Sequence, residues 1–304
     1  LFPYTTLFRS VLARSTGNGG KGISCDGIIR LCGATVKVIT TGSHVGYSSS
    51  GKGSWGSSSS TASASPKGIK ADGNLYIEDG TVLVRATGGD KAEGIESKST
   101  ATISGGLTGI YAYDDGLNAS VAIVQTGGCL YACGTNNDGI DSNGTITVTG
   151  GLMIGSGTSS PQEGIDIDNG SISGSGGTLI GMGGNQNGTP PVTGNQAYVV
   201  KNGISWSKGA CCRLTMDDGN LYFVTDRALS NGSIMLSSPQ LTNGTSYTLT
   251  IGGTLSGSSD SFFGYATDGT YSGGTSYSLT AGKSTNSGSS SGPGSHPGGG
   301  GWGF

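Results

Sequence analysis

Short runs in which apolar and polar residues alternate fill much of the chain. From Gly68 onward the runs read GIKA, NLYIE and TVLVR, and the pairs Asp72-Gly73 and Asp79-Gly80 separate them. Alternation with a period of two buries one face of a strand, and each run is too short for a helix. Asp-Gly supplies the positive φ that a sharp corner needs. The pattern predicts a unit of three short strands and three corners.

A glycine opens each of these units. From Gly68 to Gly164 the successive gaps are 26, 22, 23 and 25 residues. A period in the low twenties indicates stacked units. The opening glycines are Gly22, Gly68, Gly94, Gly116, Gly139 and Gly164, and glycines twelve residues later are Gly80, Gly106, Gly128, Gly151 and Gly176.

Stacked units pair their strands at about 4.8 Å and enclose columns of aliphatic side chains. One predicted column is Ile23, Ile69, Ile95, Leu117, Ile140 and Ile165. A second is Ile77, Ile103 and Val148, with Ile123 two positions early on the same face. The chain is therefore predicted to be all-β: a right-handed parallel β-helix with a small C-terminal antiparallel β region.

Composition agrees with this fold. The chain has 61 glycines among 304 residues and only 12% charged residues, which argues against helices. The first gap, from Gly22 to Gly68, is nearly twice the others, and we interpret Ser48–Ser65 as a long loop rather than a hidden extra coil.

Four regions are predicted along the chain. Residues 1–20 are interpreted as a non-native or leader-like segment, since LFPYTTLFRS resembles translated adapter sequence. Residues 21–185 are predicted to form the β-helix and 186–283 a C-terminal β cap, with a hairpin turn at Asp217–Asn220. Residues 284–304, rich in Ser, Gly and Pro, are predicted to be disordered.

The six cysteines and two histidines fit neither a zinc site nor a Ser/His/Asp triad. The cysteines are predicted to be buried structural residues, with room for one or two local disulfides.

Charged residues fall at equivalent positions of successive units. The residue before the opening glycine is Lys21, Lys67, Glu93, Asp115, Asp138 and Glu163. The residue two after it is Ser24, Lys70, Glu96, Asn118, Asp141 and Asp166. Two positions further on come Asp26, Asp72, Lys98, Ser120, Asn143 and Asp168. One corner is therefore predicted to carry largely acidic columns from the third unit to the sixth.

Like charges one strand spacing apart repel by roughly 1 kcal/mol in water and roughly 3 kcal/mol at an effective dielectric constant of 20. Such carboxylates should raise their pKa values or bind a cation, and hard oxygen ligands suit Ca²⁺. The alternative is a solvated acidic edge that binds nothing. The predicted metal ligands are Asp115, Asp138, Asp141, Asp166, Asn118, Glu163 and Asp168.

Lysines lie beside the acidic corner. Lys67, Lys70 and Lys98 are predicted to bind an anionic polymer, or simply to balance surface charge. Exposed aromatic residues, chiefly Trp55 and Tyr76, are predicted to stack on sugar rings, although Tyr76 and Tyr131 alternate with inward residues and could equally be ordinary strand surface. Tyr47, Tyr111, Tyr113 and Tyr131 are weaker candidates of the same kind.

The phrases KGIKADGNLYIEDGTV, DGIDSNGTITVTGG and SSPQLTNGTSYTLTIGG resemble the carbohydrate-binding domain family of secreted clostridial and related bacterial proteins. The resemblance spans about Lys21 to Thr280. It implies a β-helix similar to pectate lyases and an extracellular or cell-surface protein that binds cellulose or polygalacturonate (pectin) with calcium. The calcium-associated positions would fall on Asp115, Asp138, Asp141 and Asp166. The ESKS and LNAS phrases at Glu96 and Leu117 depart from the family pattern.

Two other functions remain open. A polysaccharide lyase acting on uronates would use Ca²⁺ and a lysine base, Lys70 or Lys98. A structural or adhesive surface protein would use the solenoid as a spacer. A net charge of −3 supports no nucleic-acid role. The longest apolar runs are too short to span a membrane, and a monomer is expected.

Overall fold

The computed structural model describes residues 10–49, 60–184, 192–259 and 261–282. These residues form strands and turns, with no helix among them. Accordingly, the described part of the chain has no helix long and apolar enough to cross a membrane. The predicted all-β class is confirmed. Trp55 and the tail 284–304 lie outside the described residues, as do the side chain of Tyr47 and residues 1–9.

Six coils of short parallel strands make up the solenoid. Its strands are β1 (Ser10–Ser15), β2 (Lys21–Cys25), β3 (Ile29–Thr40), β6 (Lys67–Ala71), β7 (Leu75–Ala86), β8 (Glu93–Ser97), β9 (Thr100–Ile103), β10 (Leu107–Ala112), β11 (Leu117–Ala119), β12 (Ala122–Gln125), β13 (Cys129–Gly134), β14 (Ile140–Ser142), β15 (Thr145–Val148), β16 (Leu152–Ser156), β17 (Ile165–Ile167), β18 (Ile172–Gly174), β19 (Thr178–Gly183) and β20 (Val192–Gly194). A hairpin in the first coil contains β4 (Val45–Ser49) and β5 (Ser60–Ala64).

The C-terminal part of the chain is antiparallel. Its strands are β21 (Tyr198–Trp206), β22 (Cys211–Met216), β23 (Gly219–Val224), β24 (Leu229–Ser237), β25 (Ser246–Ser256) and β26 (Thr270–Thr280). The hairpin predicted at Asp217–Asn220 is present, because β22 and β23 pair from Met216 and Gly219 outward.

Each coil contributes to three faces. The first face has the six strands β2, β6, β8, β11, β14 and β17. The second face runs through β9, β12, β15 and β18, and the third through β10, β13, β16 and β19. Strands β3 and β7 bend to serve both of these faces, because β7 pairs with β9 at one end and with β10 at the other.

The predicted aliphatic column on the first face is confirmed in register. Ile23 pairs with Ile69, and the pairing continues through Ile95, Leu117 and Ile140 to Ile165. On the second face Ile77 pairs with Ile103, while Ile123 lies two positions early and pairs with Ala101 and Ile146.

A glutamine fills the gap that Ile123 leaves in the second column. Gln125 lies between Ile103 and Val148, and its side chain is buried. Its amide nitrogen donates hydrogen bonds to the carbonyls of Gly127, Gly128 and Leu152 at 3.2, 3.2 and 2.9 Å. Those backbone partners are what allow a polar side chain to sit in this core.

The two sets of glycines have different physical roles. A Cβ on Gly94 would lie 2.6 Å from the carbonyl oxygen of Gly116, so the opening glycines permit adjacent coils to approach closely. The later glycines supply corners: Gly80, Gly106, Gly128 and Gly151 all have positive φ. In the sixth coil the positive φ falls on Gly177, one residue after the predicted Gly176.

The first coil carries the hairpin of β4 and β5, and it begins with an additional strand, β1. The direct pairing of Ile23 with Ile69 leaves no space for an extra coil between these two units. Of the predicted loop Ser48–Ser65, the ends belong to the paired strands β4 and β5, and residues 50–59 lie outside the described part of the chain. The solenoid also begins earlier than predicted. Residues Ser10 to Ser15, placed in the leader-like segment, form β1 and pair in parallel with Thr35 to Thr40 of β3.

The last coil is followed by a reversal of direction. Strand β24 pairs antiparallel with β19 and then with β21. A separate four-stranded sheet, in the order β23-β22-β25-β26, lies against the outside of the third face. Tyr131 and Ile154 of the coils share a buried cluster with Leu214 and Phe223 of this sheet. The antiparallel region therefore covers the side of the last coils as well as their end.

None of the six cysteines forms a disulfide. Cys133, Cys211 and Cys212 are buried as predicted. Cys25 and Cys32 are exposed, contrary to the prediction.

Candidate functional site

The predicted charged columns are formed as the repeat alignment required. Glu96 pairs with Lys70 and with Asn118, Asn118 pairs with Asp141, and Asp141 pairs with Asp166. Beside them, Lys67 pairs with Lys21 and Glu93. The loops that close each coil end at Asp115, Asp138 and Glu163, immediately before the opening glycines. We call Asp115, Asn118, Asp138, Asp141, Glu163, Asp166 and Asp168 the acidic corner.

Three of the seven residues of the acidic corner are buried and three are half-buried, so the corner is not a fully solvated edge. Asp115, Asp138 and Glu163 are only 5%, 7% and 6% exposed. Asp141 and Asp166 are half-buried, and Asp168 is exposed. Exposure within the acidic corner therefore increases from the buried residues that precede the opening glycines to Asp168 at the surface.

Backbone amides and asparagines bind part of this charge. The amide of Asp138 donates to Asp115 Oδ1 at 3.1 Å, and the amide of Glu163 donates to Asp138 Oδ1. Asn118 Nδ2 donates to Asp141 Oδ2 at 2.7 Å and to Asp115 Oδ2 at 3.4 Å. Asn118 therefore acts as a donor to the acids, and its carbonyl oxygen is the atom left for a metal.

Burial raises the pKa values of the acidic corner. The loss of water, with smaller contributions from neighbouring carboxylates, raises the pKa of Asp138 to about 7, of Asp141 to about 8 and of Glu163 to about 9. The pKa of Asp115 is also well above its ordinary value, with burial again the main cause. No ion pair among the described residues includes Asp115, Asp138, Asp141 or Glu163.

Two buried oxygens in the corner have no hydrogen-bond donor: Asp141 Oδ1 and Glu163 Oε2. Asp141, Asp166 and Asp168 each bring one carboxylate oxygen within 4.8 Å of the others. Calcium binds oxygens at 2.3–2.6 Å, so two ligands on opposite sides of the ion are roughly 5 Å apart. The donor set and its spacing therefore fit a Ca²⁺ ion.

The lysines do not lie at the surface as a group. Lys67, predicted to bind a ligand, is only 5% exposed. Its ammonium lies 2.7 Å from Glu93 Oε1 and 3.7 Å from Glu96 Oε1, so the coil-closing loop covers it and acids neutralise it. Lys70 contacts Asp72, and the exposed Lys98 contacts the buried Glu96.

These contacts are unfavourable for a lysine base. Partial burial acts to lower the pKa of Lys98, but the hydrogen bond and charge of Glu96 outweigh it, and the pKa lies above its ordinary value. Glu96, the ion-pair partner of Lys98, is two strand spacings from Asp141, which is roughly 10 Å. The raised pKa of Lys98 keeps its ammonium protonated, which is unfavourable for a base.

The predicted aromatic platforms have different surroundings. Tyr76 is half-buried, and the guanidinium of Arg30 lies 4.1 Å from its ring centre. Tyr131 was expected to be exposed, but Phe263 stacks on it at 4.8 Å and leaves it 6% exposed. Tyr111 remains exposed on the same face. Sequence patterns missed the cover over Tyr131 because Phe263 comes from a distant part of the chain.

A comparison with protein families gives one match. The family model described as carbohydrate-binding domain-containing protein matches residues 15–116 and 66–137. No curated protein matches the chain, and no solved structure does. The two family matches overlap, and together they cover coils one to four and less than half of the chain. This part of the molecule is similar to a carbohydrate-binding domain.

Proposed function

We propose that this protein is an extracellular or cell-surface polysaccharide-binding protein whose binding depends on Ca²⁺ held at the acidic corner. The single observation that carries the proposal is the convergence of Asp141, Asp166 and Asp168 within 4.8 Å, beside the buried carboxylates of Asp115, Asp138 and Glu163. The family match over residues 15–137 is the reason for proposing a carbohydrate as the ligand.

The third coil supports a cation at this corner. There, the carboxylates of Glu93 and Glu96 converge on the Lys67 ammonium. Three coils later the equivalent positions are Glu163, Asp166 and, in place of Lys67, Asp138. In the sixth coil, two carboxylates therefore face a third carboxylate, at the position where the third coil has the lysine ammonium. A bound divalent cation would supply the missing positive charge.

An anionic polymer is the ligand that this site favours. A Ca²⁺ ion bound partly by the exposed Asp168 keeps coordination positions open to solvent, where a uronate carboxylate could bind. Lys98, exposed at the equivalent position three coils before Asp168, would meet a second carboxylate along the same polymer. Polygalacturonate is therefore preferred over cellulose as the substrate class.

Affinity electrophoresis tests the proposal. The protein is run through gels containing polygalacturonate, a soluble cellulose derivative or a neutral glucan, with Ca²⁺ or with EDTA. We expect retardation by polygalacturonate in Ca²⁺ only. Asp168→Asn should weaken this retardation at least fivefold, and Asp90→Asn, an exposed acid on another loop, should not. Retardation that persists in EDTA would contradict calcium dependence, and retardation in no gel would favour a structural role.

A further inference from the structure

A second concave site lies in the antiparallel region, outside the residues that the family matches. It is a cleft of about 630 Å³, within the range typical of small-ligand sites. Three segments line it: the end of β21 with the turn into β22, the start of β24, and the middle of β25.

Backbone irregularities on two different sheets meet at this cleft. The pairing of β21 with β24 shifts between Ile204 and Trp206, and the pairing of β22 with β25 shifts at Cys211 and Cys212. At the second shift, Gly252 of β25 has no paired residue in β22, and its φ is +92°. Bulges of this kind often accompany binding sites because they turn backbone groups out of the ladder.

Glycines keep the cleft open. A Cβ built on Gly209 or on Gly252 would meet no atom within 4 Å, so both residues border empty space. Gly209 also has a φ of +78°, which a side chain would strain. At Gly209 and Gly252 the backbone itself, rather than a side chain, therefore forms the wall of the cleft.

The side chains around the cleft are those of a sugar site. Trp206, 7% exposed, contributes an apolar side chain to the lining. Hydroxyls come from Ser207, Ser230 and Thr254. Lys208 is the charged residue of the lining, and no acidic side chain is among the lining residues.

Lys208 brings uncompensated positive charge to the cleft. It is exposed, and the ion pairs among the described residues do not include it. Asp226, two residues before the lining residue Ala228, already binds Arg227 at 2.8 Å. A ligand that offers hydroxyls together with one carboxylate would match this lining.

We propose that this cleft binds a single carboxylated sugar unit, with Lys208 contacting the carboxylate and the serine and threonine hydroxyls contacting the ring hydroxyls. The site needs no metal. It rests on the proposed function only for the choice of uronate as the probe, since the acidic corner and the cleft share no residue.

The test measures binding of a trigalacturonate in EDTA, where the acidic corner cannot hold Ca²⁺. Calorimetry is combined with tryptophan fluorescence in a chain carrying Trp55→Phe and Trp302→Phe, so that Trp206 is the sole tryptophan. We expect saturable binding with a change in Trp206 emission. Lys208→Gln should weaken it at least fivefold, and Ser230→Trp, which fills the cleft, should abolish it. Lys37→Gln, an exposed lysine on the solenoid, should leave the affinity unchanged.

Three results would overturn the inference: no binding in EDTA, unchanged affinity in both cleft variants, or equal binding of a neutral cellotriose. Thermal melting of Ser230→Trp checks that this variant folds. If it does not fold, the affinity of Lys208→Gln alone tests the inference. Asp168→Asn leaves the cleft intact, so loss of calcium-dependent retardation in that variant is read separately from the outcome in EDTA.

Discussion

At the level of single residues, the acidic corner differs from an ordinary charged surface in how much of it is buried. The repeat alignment identified which acids are neighbours, because equivalent positions of a parallel stack lie side by side. It did not identify their burial, since that depends on how the coil-closing loops fold over Asp138 and Glu163. Lys67 was mispredicted as a surface residue for the same reason.

The raised pKa values predict how stability depends on pH. In the unfolded chain, Asp and Glu ionise near pH 4, whereas the folded Asp138, Asp141 and Glu163 do so at about 7, 8 and 9. The folded protein therefore binds more protons, and in EDTA its melting temperature should fall as the pH rises from 5 to 9.

The decline should be smaller in Glu163→Gln, which removes one titrating group, and in saturating Ca²⁺. Asp90→Asn serves as the matched control and should follow the wild type. Differential scanning calorimetry measures all four curves. A melting temperature that rises over this range in EDTA would contradict the buried, proton-binding description of the corner.

The buried ammonium of Lys67 gives a second prediction. Lys67→Met removes the ammonium from Glu93 and leaves Glu96 with Lys98 alone, and breaking a buried pair in this way costs about 3–5 kcal/mol. Because burial already raises the pKa of Glu93 to about 7, the loss should be smaller at pH 5, where this carboxylate is protonated.

Urea unfolding at pH 5 and pH 8 measures both values. Lys37→Met, on an exposed lysine, should change the free energy of unfolding little at either pH. Equal losses at the two pH values would show that packing of the lysine stem, rather than its charge, stabilises the third coil.

At the level of elements, the opening glycines are required for space. A Cβ on Gly116 would collide with the carbonyl oxygen of Gly139 in the next coil and approach the amide of Cys133 at 2.8 Å. Gly116→Ala should therefore destabilise the protein by about 3 kcal/mol or more, since backbone atoms must move. Gly27→Ala, where the nearest atom is 3.9 Å away, should have little effect. Thermal unfolding compares the two.

The sequence predicted the order of strands within each coil. It did not predict which other parts of the chain pack against the outer surface of those strands. Ile69, Ile95 and Leu117 occupy the predicted column because periodicity records which face is buried. Tyr131 has the same alternating pattern as an exposed residue, yet Phe263, more than a hundred residues away, covers it. A local pattern contains no information about a partner at that separation.

At the level of the whole molecule, a charged contact links the antiparallel region to the solenoid. Asp226 accepts hydrogen bonds from Ser156 Oγ at 2.6 Å and from Cys133 Sγ at 3.1 Å. Arg227 donates to the carbonyl of Gly134 at 2.8 Å and to Asp226 at 2.8 Å. These groups are mostly enclosed, and their partners belong to coils four and five.

Removing one charge of this contact should loosen the two parts together. Asp226→Ala leaves Arg227 without its carboxylate, and we expect a loss of about 2–4 kcal/mol in a single unfolding transition. Asp217→Ala, on the exposed hairpin, is the control. Two separate transitions in calorimetry would show instead that the antiparallel region and the solenoid unfold independently.

The antiparallel pairing of β24 with β19 limits how such a molecule can vary in length. A parallel coil cannot be added after β19, because β24 already occupies that edge in the opposite direction. A coil inserted between β6 and β19, in contrast, would meet identical ladders above and below. Each insertion would lengthen the row of carboxylates by one step of about 4.8 Å while leaving both ends unchanged. The number of carboxylates in the corner would then increase with the number of repeats, while the two ends and their stability stayed the same.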